Sequence, residues 1–283
     1  MLRRHRSTLP ALLVTGLYGA ALTVAIVVAL ISGELGPLWW MTLFTTVPEG
    51  VAATGQNLIL LVLAGLSWAW GIWQILRGPL AGPPPDQDRQ AQVEGQADRD
   101  DQHHDGDTRR LRVALYASAS TTWLLHVTAS IWAGPTVIDS AVMWVVVLLF
   151  MRVLGGDRPY MRGAGVLGYG GFTVIEVFDL AGWPMLGGAE LICGLTALAW
   201  TALVLRAQGY DDRWGTMTVV YGIAGLVSPF LLTLAALPFP EEGSAVEALG
   251  VVASVLIMIW LTRSAHDLAA PRHEPAARTT VEA

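Results

Sequence analysis

Lysine is absent from the 283 residues, and all seventeen basic side chains are arginine. Cysteine is almost absent too. The one cysteine, Cys193, lies inside an apolar run, which excludes a disulfide framework and a spaced thiolate metal motif and gives redox chemistry no foothold. Charge of either sign is scarce, at 14% of residues against 53% hydrophobic. That balance falls outside soluble globular composition, so lipid is the expected solvent for most of the chain. The signatures of standard soluble catalysis are also missing: there is no Walker A loop, HExxH, GxSxG, Rossmann glycine fingerprint or CxxCH. No cytoplasmic segment is long enough for a kinase or cyclase domain, and nothing points to nucleic-acid binding. The formal charge of −6 describes no single surface, because much of the acid sits in one hydrophilic linker.

What the chain does have is a series of long apolar runs. Crossing the hydrocarbon takes about 20 mostly apolar residues per helix. Eight runs approach that length, at roughly 10–32, 51–76, 113–133, 137–153, 163–182, 185–206, 215–237 and 245–262. The first is longer than a signal-peptide core and ends without an A-x-A site, so it is expected as an uncleaved helix. Eight crossings return the chain to its starting side. The arginines then fall in five groups, all on that side: Arg3, Arg4 and Arg6; Arg77 through Arg112; Arg152, Arg158 and Arg162; Arg206 and Arg213; and Arg263, Arg272 and Arg278. Positively charged loops resist translocation, so both termini are expected in the cytoplasm. Basic residues that are all arginine point, by compositional association, to a bacterial cytoplasmic (inner) membrane. The opposite loops hold only acids, among them Glu34, Glu49, Glu241 and Glu242. Tryptophans fit the same frame as interface anchors, with Trp39, Trp40, Trp132 and Trp183 outside and Trp73, Trp214 and Trp260 inside.

The expected fold class is an all-α polytopic membrane protein of about eight transmembrane helices, arranged as four parallel-repeat helical hairpins. Residues 1–77 form the first hairpin, with an outer interfacial segment from Pro37 to Pro48. Residues 78–110, rich in Pro, Gln, Asp and Gly, read as a disordered cytoplasmic linker. Three further hairpins occupy 111–265, and 266–283 is an expected disordered tail. The histidines of the linker, His103 and His104, sit beside Asp100, Asp101 and Asp105; in such a polar stretch they are expected as solvated residues and not as metal ligands.

The hairpins follow from an internal repeat. Each odd helix carries a tyrosine and a small residue: Tyr18-Gly19, Tyr116-Ala117, Tyr169-Gly170 and Tyr221-Gly222. The last three pairs are spaced by 53 and 52 residues, and each even helix ends in an arginine, at Arg77, Arg152, Arg206 and Arg263. All hairpins enter from one side, so the repeats are parallel, related by an axis along the membrane normal. Small residues such as Gly165, Gly168 and Gly171, and Gly222 and Gly225, predict close helix packing.

One polar cluster stands at membrane depth. Ionisable groups in lipid cost about 2.5–3.5 kcal/mol each on insertion scales, so those that remain face a bundle interior or a wet cavity. His126 and Glu176 each lie roughly 20 Å along their helices from the cytoplasmic end, at a 1.5 Å rise per residue. Glu176 and Asp179, three apart, share a helical face. His126 and Asp179 are equivalent in the repeat, each ten residues after its tyrosine. Asp139, Glu190 and Glu247 begin runs that descend from the outer surface, where acids also suit the helix dipole as solvated starts. Pro229 should free the Gly225 carbonyl and kink its helix, with Ser228 placed to cover that carbonyl. Gln56 and Asn57 add amides on the outer side.

The candidate ligand-binding residues are therefore Glu176, Asp179, His126, Glu190 and Asp139, whose oxygens suit a cation or a proton relay. Three functions compete. The first is a small permease for a cation, proton or cationic solute through an outer-half acidic cavity. The second is a non-transporting membrane scaffold, sensor or accessory subunit. The third is an intramembrane metal-dependent enzyme using His126, Glu176 and Asp179. The partners implied are the lipid bilayer, a cation or small solute, and another membrane protein; no cofactor is identifiable, and enzymatic activity is not favoured.

Overall fold

The computed structural model describes residues 8–48, 51, 53–78, 100–128, 134–154, 159–184, 187–236 and 243–269. The expected linker over 79–99, the tail over 270–283, Glu49, Trp132, Glu241 and Glu242 lie outside the described residues, as do the side chains of His103, His104 and Glu247. The described elements are all helical: α1 (Thr8–Ser32), α2 (Gly36–Leu43), α3 (Gly55–Leu76), α4 (Asp100–Thr128), α5 (Gly134–Leu154), α6 (Pro159–Gly165), α7 (Gly171–Leu180), α8 (Ala189–Gly209), α9 (Thr216–Ala236) and α10 (Gly243–Asp267). A π-helical turn over Val166–Gly170 joins α6 to α7.

Five of these helices are long and apolar enough to cross a membrane, with spans at Leu9–Ser32, Gly55–Leu76, Thr136–Leu154, Ala189–Gly209 and Ala248–Asp267. They match the first, second, fourth, sixth and eighth expected runs. The other three expected runs are the odd helices that carry Tyr116, Tyr169 and Tyr221. The third run lies in α4, where Ser118, Ser120, Thr121, Thr122 and His126 dilute the apolar content. The fifth is interrupted by the π turn. The seventh offers only the shorter apolar stretch Thr216–Leu231 of α9. The helix α4 also begins at Asp100, inside the segment whose composition predicts linker; an Asp107–Arg110 pair at 3.3 Å, one turn apart, supports that extension.

The central post is α10. Just over half of its span, 56%, is buried, against 17% for α1, and it packs on α2, α3, α4 and α9. It joins two apolar clusters. In one, Leu22 and Ala25 of α1, Leu38 and Trp39 of α2, and Leu61, Ala64 and Trp68 of α3 pack on Val255, Met258 and Ile259 of α10. In the other, Phe150 of α5 is the hub of an aromatic group, stacked on Trp260 at 6.3 Å and edge-on to Trp200 at 5.9 Å, with Trp214 tilted at 6.3 Å. Lipid is as apolar as leucine, so close fit between surfaces has to hold such a bundle together.

Two expectations change on this evidence. Trp214 and Trp260 are 5% and 1% exposed, so they are core residues rather than interface anchors; Phe150 gives them an aromatic partner inside the bundle. The segment from Pro37 to Pro48 contains α2, whose Leu38 and Trp39 are fully buried against α1 and α3. The helix is pinned there by polar contacts as well: Trp68 Nε1 donates to the Thr42 carbonyl at 3.0 Å, and Trp39 Nε1 donates to Thr45 Oγ1 at 3.0 Å. Phe44, which ends α2, adopts a left-handed φ of 59°, uncommon without glycine, and sets its ring at right angles to Trp68, 5.5 Å away.

The arginine-bearing helix ends are tied together by hydrogen bonds. Asp267, at the end of α10, caps the start of α9 by accepting from the Gly215 N–H at 2.9 Å and from Thr218 Oγ1. Arg213 binds Asp211 through Nε and Nη2, donates to the Val153 carbonyl at 3.0 Å, and lies over the Trp214 ring at 4.9 Å. Inside, Gln208 accepts from Trp260 Nε1 at 2.9 Å and donates to Ser264 Oγ at 3.1 Å.

Candidate functional site

Where α4 meets α5, one carboxylate is held in a defined polar environment. Asp139 sits near the start of α5, half-buried, facing the polar stretch of α4. Thr122 Oγ1 donates to Asp139 Oδ1 at 2.8 Å, and Thr121 Oγ1 lies at the same distance from that oxygen, its single proton shared with the Ser118 carbonyl at 3.0 Å. Consecutive threonines place their hydroxyls on neighbouring faces of the helix, so a single acid on the adjacent helix can accept from both. The two bonds converge on one oxygen. Among the described residues no donor reaches Oδ2.

His126 stands one turn beyond Thr122, and its Nδ1–H donates to the Thr122 carbonyl at 2.9 Å. That bond leaves the Nε2 lone pair of a neutral ring as the place for an added proton. The ring packs edge-on against Trp68 of α3 at 5.7 Å. Tyr169 belongs to the π turn, and such turns recur at functional sites because they redirect one side chain without ending the helix. Its hydroxyl lies 3.3 Å from Thr201 Oγ1 of α8, and Thr201 in turn donates to the Ala197 carbonyl at 2.9 Å.

The remaining candidates are placed differently. Glu176 is half-buried on α7, a helix with no buried residue, and Asp179 on the same helix is exposed. Glu190 is exposed in the first turn of α8, where an acid suits the helix dipole. Asp139 and His126 are therefore the two of the five that share one environment. Asp179, at the position expected to correspond to His126, is exposed. Among the described residues no three His, Cys, Asp or Glu side chains come together as a metal-holding group.

No family model, curated protein or solved structure matches the chain.

What the site can do chemically follows from its donors and acceptors. A carboxylate whose Oδ1 accepts from two hydroxyls, and whose Oδ2 meets no donor among the described residues, can take a proton or offer a ligand to a cation at Oδ2. The hydroxyls hold the group in place in either state, because a protonated acid still accepts at Oδ1. Sequence reasoning named Asp139 and His126 but missed Thr121, Thr122 and Thr201. The available signal was the run Ser118-Ala119-Ser120-Thr121-Thr122, which breaks the apolar pattern of a membrane helix without introducing charge.

Proposed function

We propose that the chain is a small membrane permease that carries a proton, a cation or a cationic solute, with Asp139 as its binding group. The single observation behind this reading is the Asp139 carboxylate, held by Thr121 and Thr122 through Oδ1 and meeting no donor at Oδ2 among the described residues. Acids in membrane helices are expensive and tend to line ion or proton pathways. In this reading His126, bonded through Nδ1 to the carbonyl of the same Thr122 that holds Asp139, exchanges the proton through Nε2. The hairpin α4–α5 carries the site. In the full proposal the four hairpins are parallel repeats in eight crossings, both termini are cytoplasmic, and the membrane is a bacterial inner membrane.

The test is uptake by vesicles reconstituted with purified full-length protein, under an imposed proton gradient and against a panel of monovalent and divalent cations. Asp139→Asn, which keeps the shape and removes the charge, is expected to abolish uptake while leaving unfolding stability close to wild type. Equal uptake by wild type and Asp139→Asn would remove Asp139 from the mechanism.

A second reading, a non-transporting scaffold, sensor or accessory subunit, draws on the outward placement of Asp179 and Glu190. Exposed acids at helix ends suit a partner surface as well as water. Wild-type protein without uptake of any panel ion, together with co-purification of a stable membrane partner lost in Asp179→Asn/Glu190→Gln, is the outcome that favours it.

A further inference from the structure

On the arginine-bearing end of the same hairpin, away from Asp139, the outer surface between α4 and α5 is grooved. The groove has a volume of about 660 Å³, and its lining runs from Arg109 and Arg110 at the mouth through Val113 and Ala117 of α4 to Val145 and Leu149 of α5. Its origin is visible in the sequence. Gly106, Ala114 and Ala117 recur at helical spacing on the α4 face, so little side-chain bulk fills the space opposite the longer residues of α5. The groove opens sideways, with Val113 60% and Val145 47% exposed. From Arg109 to Ala117 it spans about 12 Å along the helix axis. That is most of one leaflet, whose hydrocarbon is about 15 Å deep.

We infer that this groove binds one anionic glycerophospholipid, its acyl chain lying between α4 and α5 and its phosphate at Arg109 and Arg110. Charge complementarity selects the occupant. Arg109 and Arg110 line the groove, and the described carboxylate beside them, Asp107, lies 3.3 Å from Arg110 and 3.9 Å from a third guanidinium, that of Arg152. Three guanidinium groups against one carboxylate leave an excess of positive charge where a headgroup would sit. Guanidinium forks match phosphate oxygens in geometry, and basic pockets between membrane helices recognise anionic headgroups. The apolar walls below exclude a free polar anion as the complete ligand. This site is separate from the Asp139 proposal and stands or falls without it.

The experiment delipidates purified full-length protein in detergent and titrates it with phosphatidylglycerol or with phosphatidylcholine of identical acyl chains. Occupancy is read by native mass spectrometry for wild type, Arg109→Gln/Arg110→Gln, and Ala117→Phe, which fills the groove without altering charge. Wild type is expected to retain phosphatidylglycerol in preference to phosphatidylcholine. At about five-fold per arginine, the double variant should lose most of that preference. Ala117→Phe should lose both lipids, and glycerol phosphate without acyl chains should not compete. Parallel thermal unfolding shows whether Ala117→Phe is folded, and the arginine variant decides the question if it is not. Equal retention of the two lipids by wild type, or undiminished preference in the arginine variant, overturns the assignment. A lipid-free doubling of mass that Ala117→Phe reverses also overturns it, in favour of a second copy of the chain in the groove.

Discussion

Replacing Gly168 by alanine tests how closely the bundle is packed around its π turn. A Cβ built at Gly168 lies 2.6 Å from the Ala197 backbone nitrogen and 2.7 Å from its Cα. These are backbone atoms of α8, so no rotamer change can relieve the contact. To reach ordinary van der Waals separation the helix would have to retreat by about 0.8 Å. That movement also pulls Thr201 away from Tyr169, whose hydroxyls are 3.3 Å apart, and loosens Trp200 against Phe150. Overpacking of this kind costs about 1–3 kcal/mol. At 1.4 kcal/mol per factor of ten, the midpoint is roughly a thirty-fold change in the unfolding constant. The control is Gly19→Ala in α1, where the new Cβ meets nothing within 4 Å; it should be neutral or gain up to about 1 kcal/mol of helix propensity. Both are read by reversible unfolding in mixed detergent micelles. If Gly168→Ala is as stable as wild type, or Gly19→Ala is equally damaged, the close approach of α8 to the π turn is wrong.

Other consequences are as specific. Gln208→Leu leaves the buried Trp260 N–H and Ser264 hydroxyl without their partner and should cost about 1–3 kcal/mol in the same unfolding assay. Arg213→Lys keeps the charge but loses the fork on Asp211, the bond to the Val153 carbonyl and the planar stack on Trp214; a loss of about 1–2 kcal/mol is expected, and thermal unfolding no different from wild type would show those contacts to be idle. Ser228→Ala removes the hydroxyl that donates to the Gly225 carbonyl at 3.1 Å and should destabilise by about 0.5–1.5 kcal/mol, an effect that should disappear in a Pro229→Ala background where the helix bond can re-form.

The local features that depend on one helix were the most legible in the sequence. Pro229 frees the carbonyl four residues back, and Ser228 covers it, as backbone chemistry requires. The glycines at 165, 168 and 171 mark tight approach, to Trp200, to the Ala197 backbone and to Cys193 respectively. Features that depend on which helix comes next were not legible. Trp214 and Trp260 resemble interface anchors by position, and only Phe150, arriving from another helix, makes them core. The short helix α2 is too short to cross, which sequence shows, but its burial is decided by α1 and α3. At the site, Asp139 and His126 were recognisable as ionisable groups in apolar runs. The hydroxyls that organise them were not, because threonine in a membrane helix ordinarily bonds back to its own turn. Equal depth along a helix did not bring Glu176 and Asp179 to the same place, since depth fixes one coordinate and leaves rotation about the helix axis open.

The most direct measurement is unfolding stability of the detergent-purified protein across proton and cation concentration, for wild type, Asp139→Asn and Glu176→Gln. A ligand that binds only the folded protein stabilises it by about 2.7 kcal/mol at one hundred times its dissociation constant. A ligand site at Asp139 requires saturable stabilisation of wild type by at least one cation or by protons, retained in Glu176→Gln and lost in Asp139→Asn. Stabilisation that survives intact in Asp139→Asn, or a wild type that responds to nothing in the panel, would contradict it.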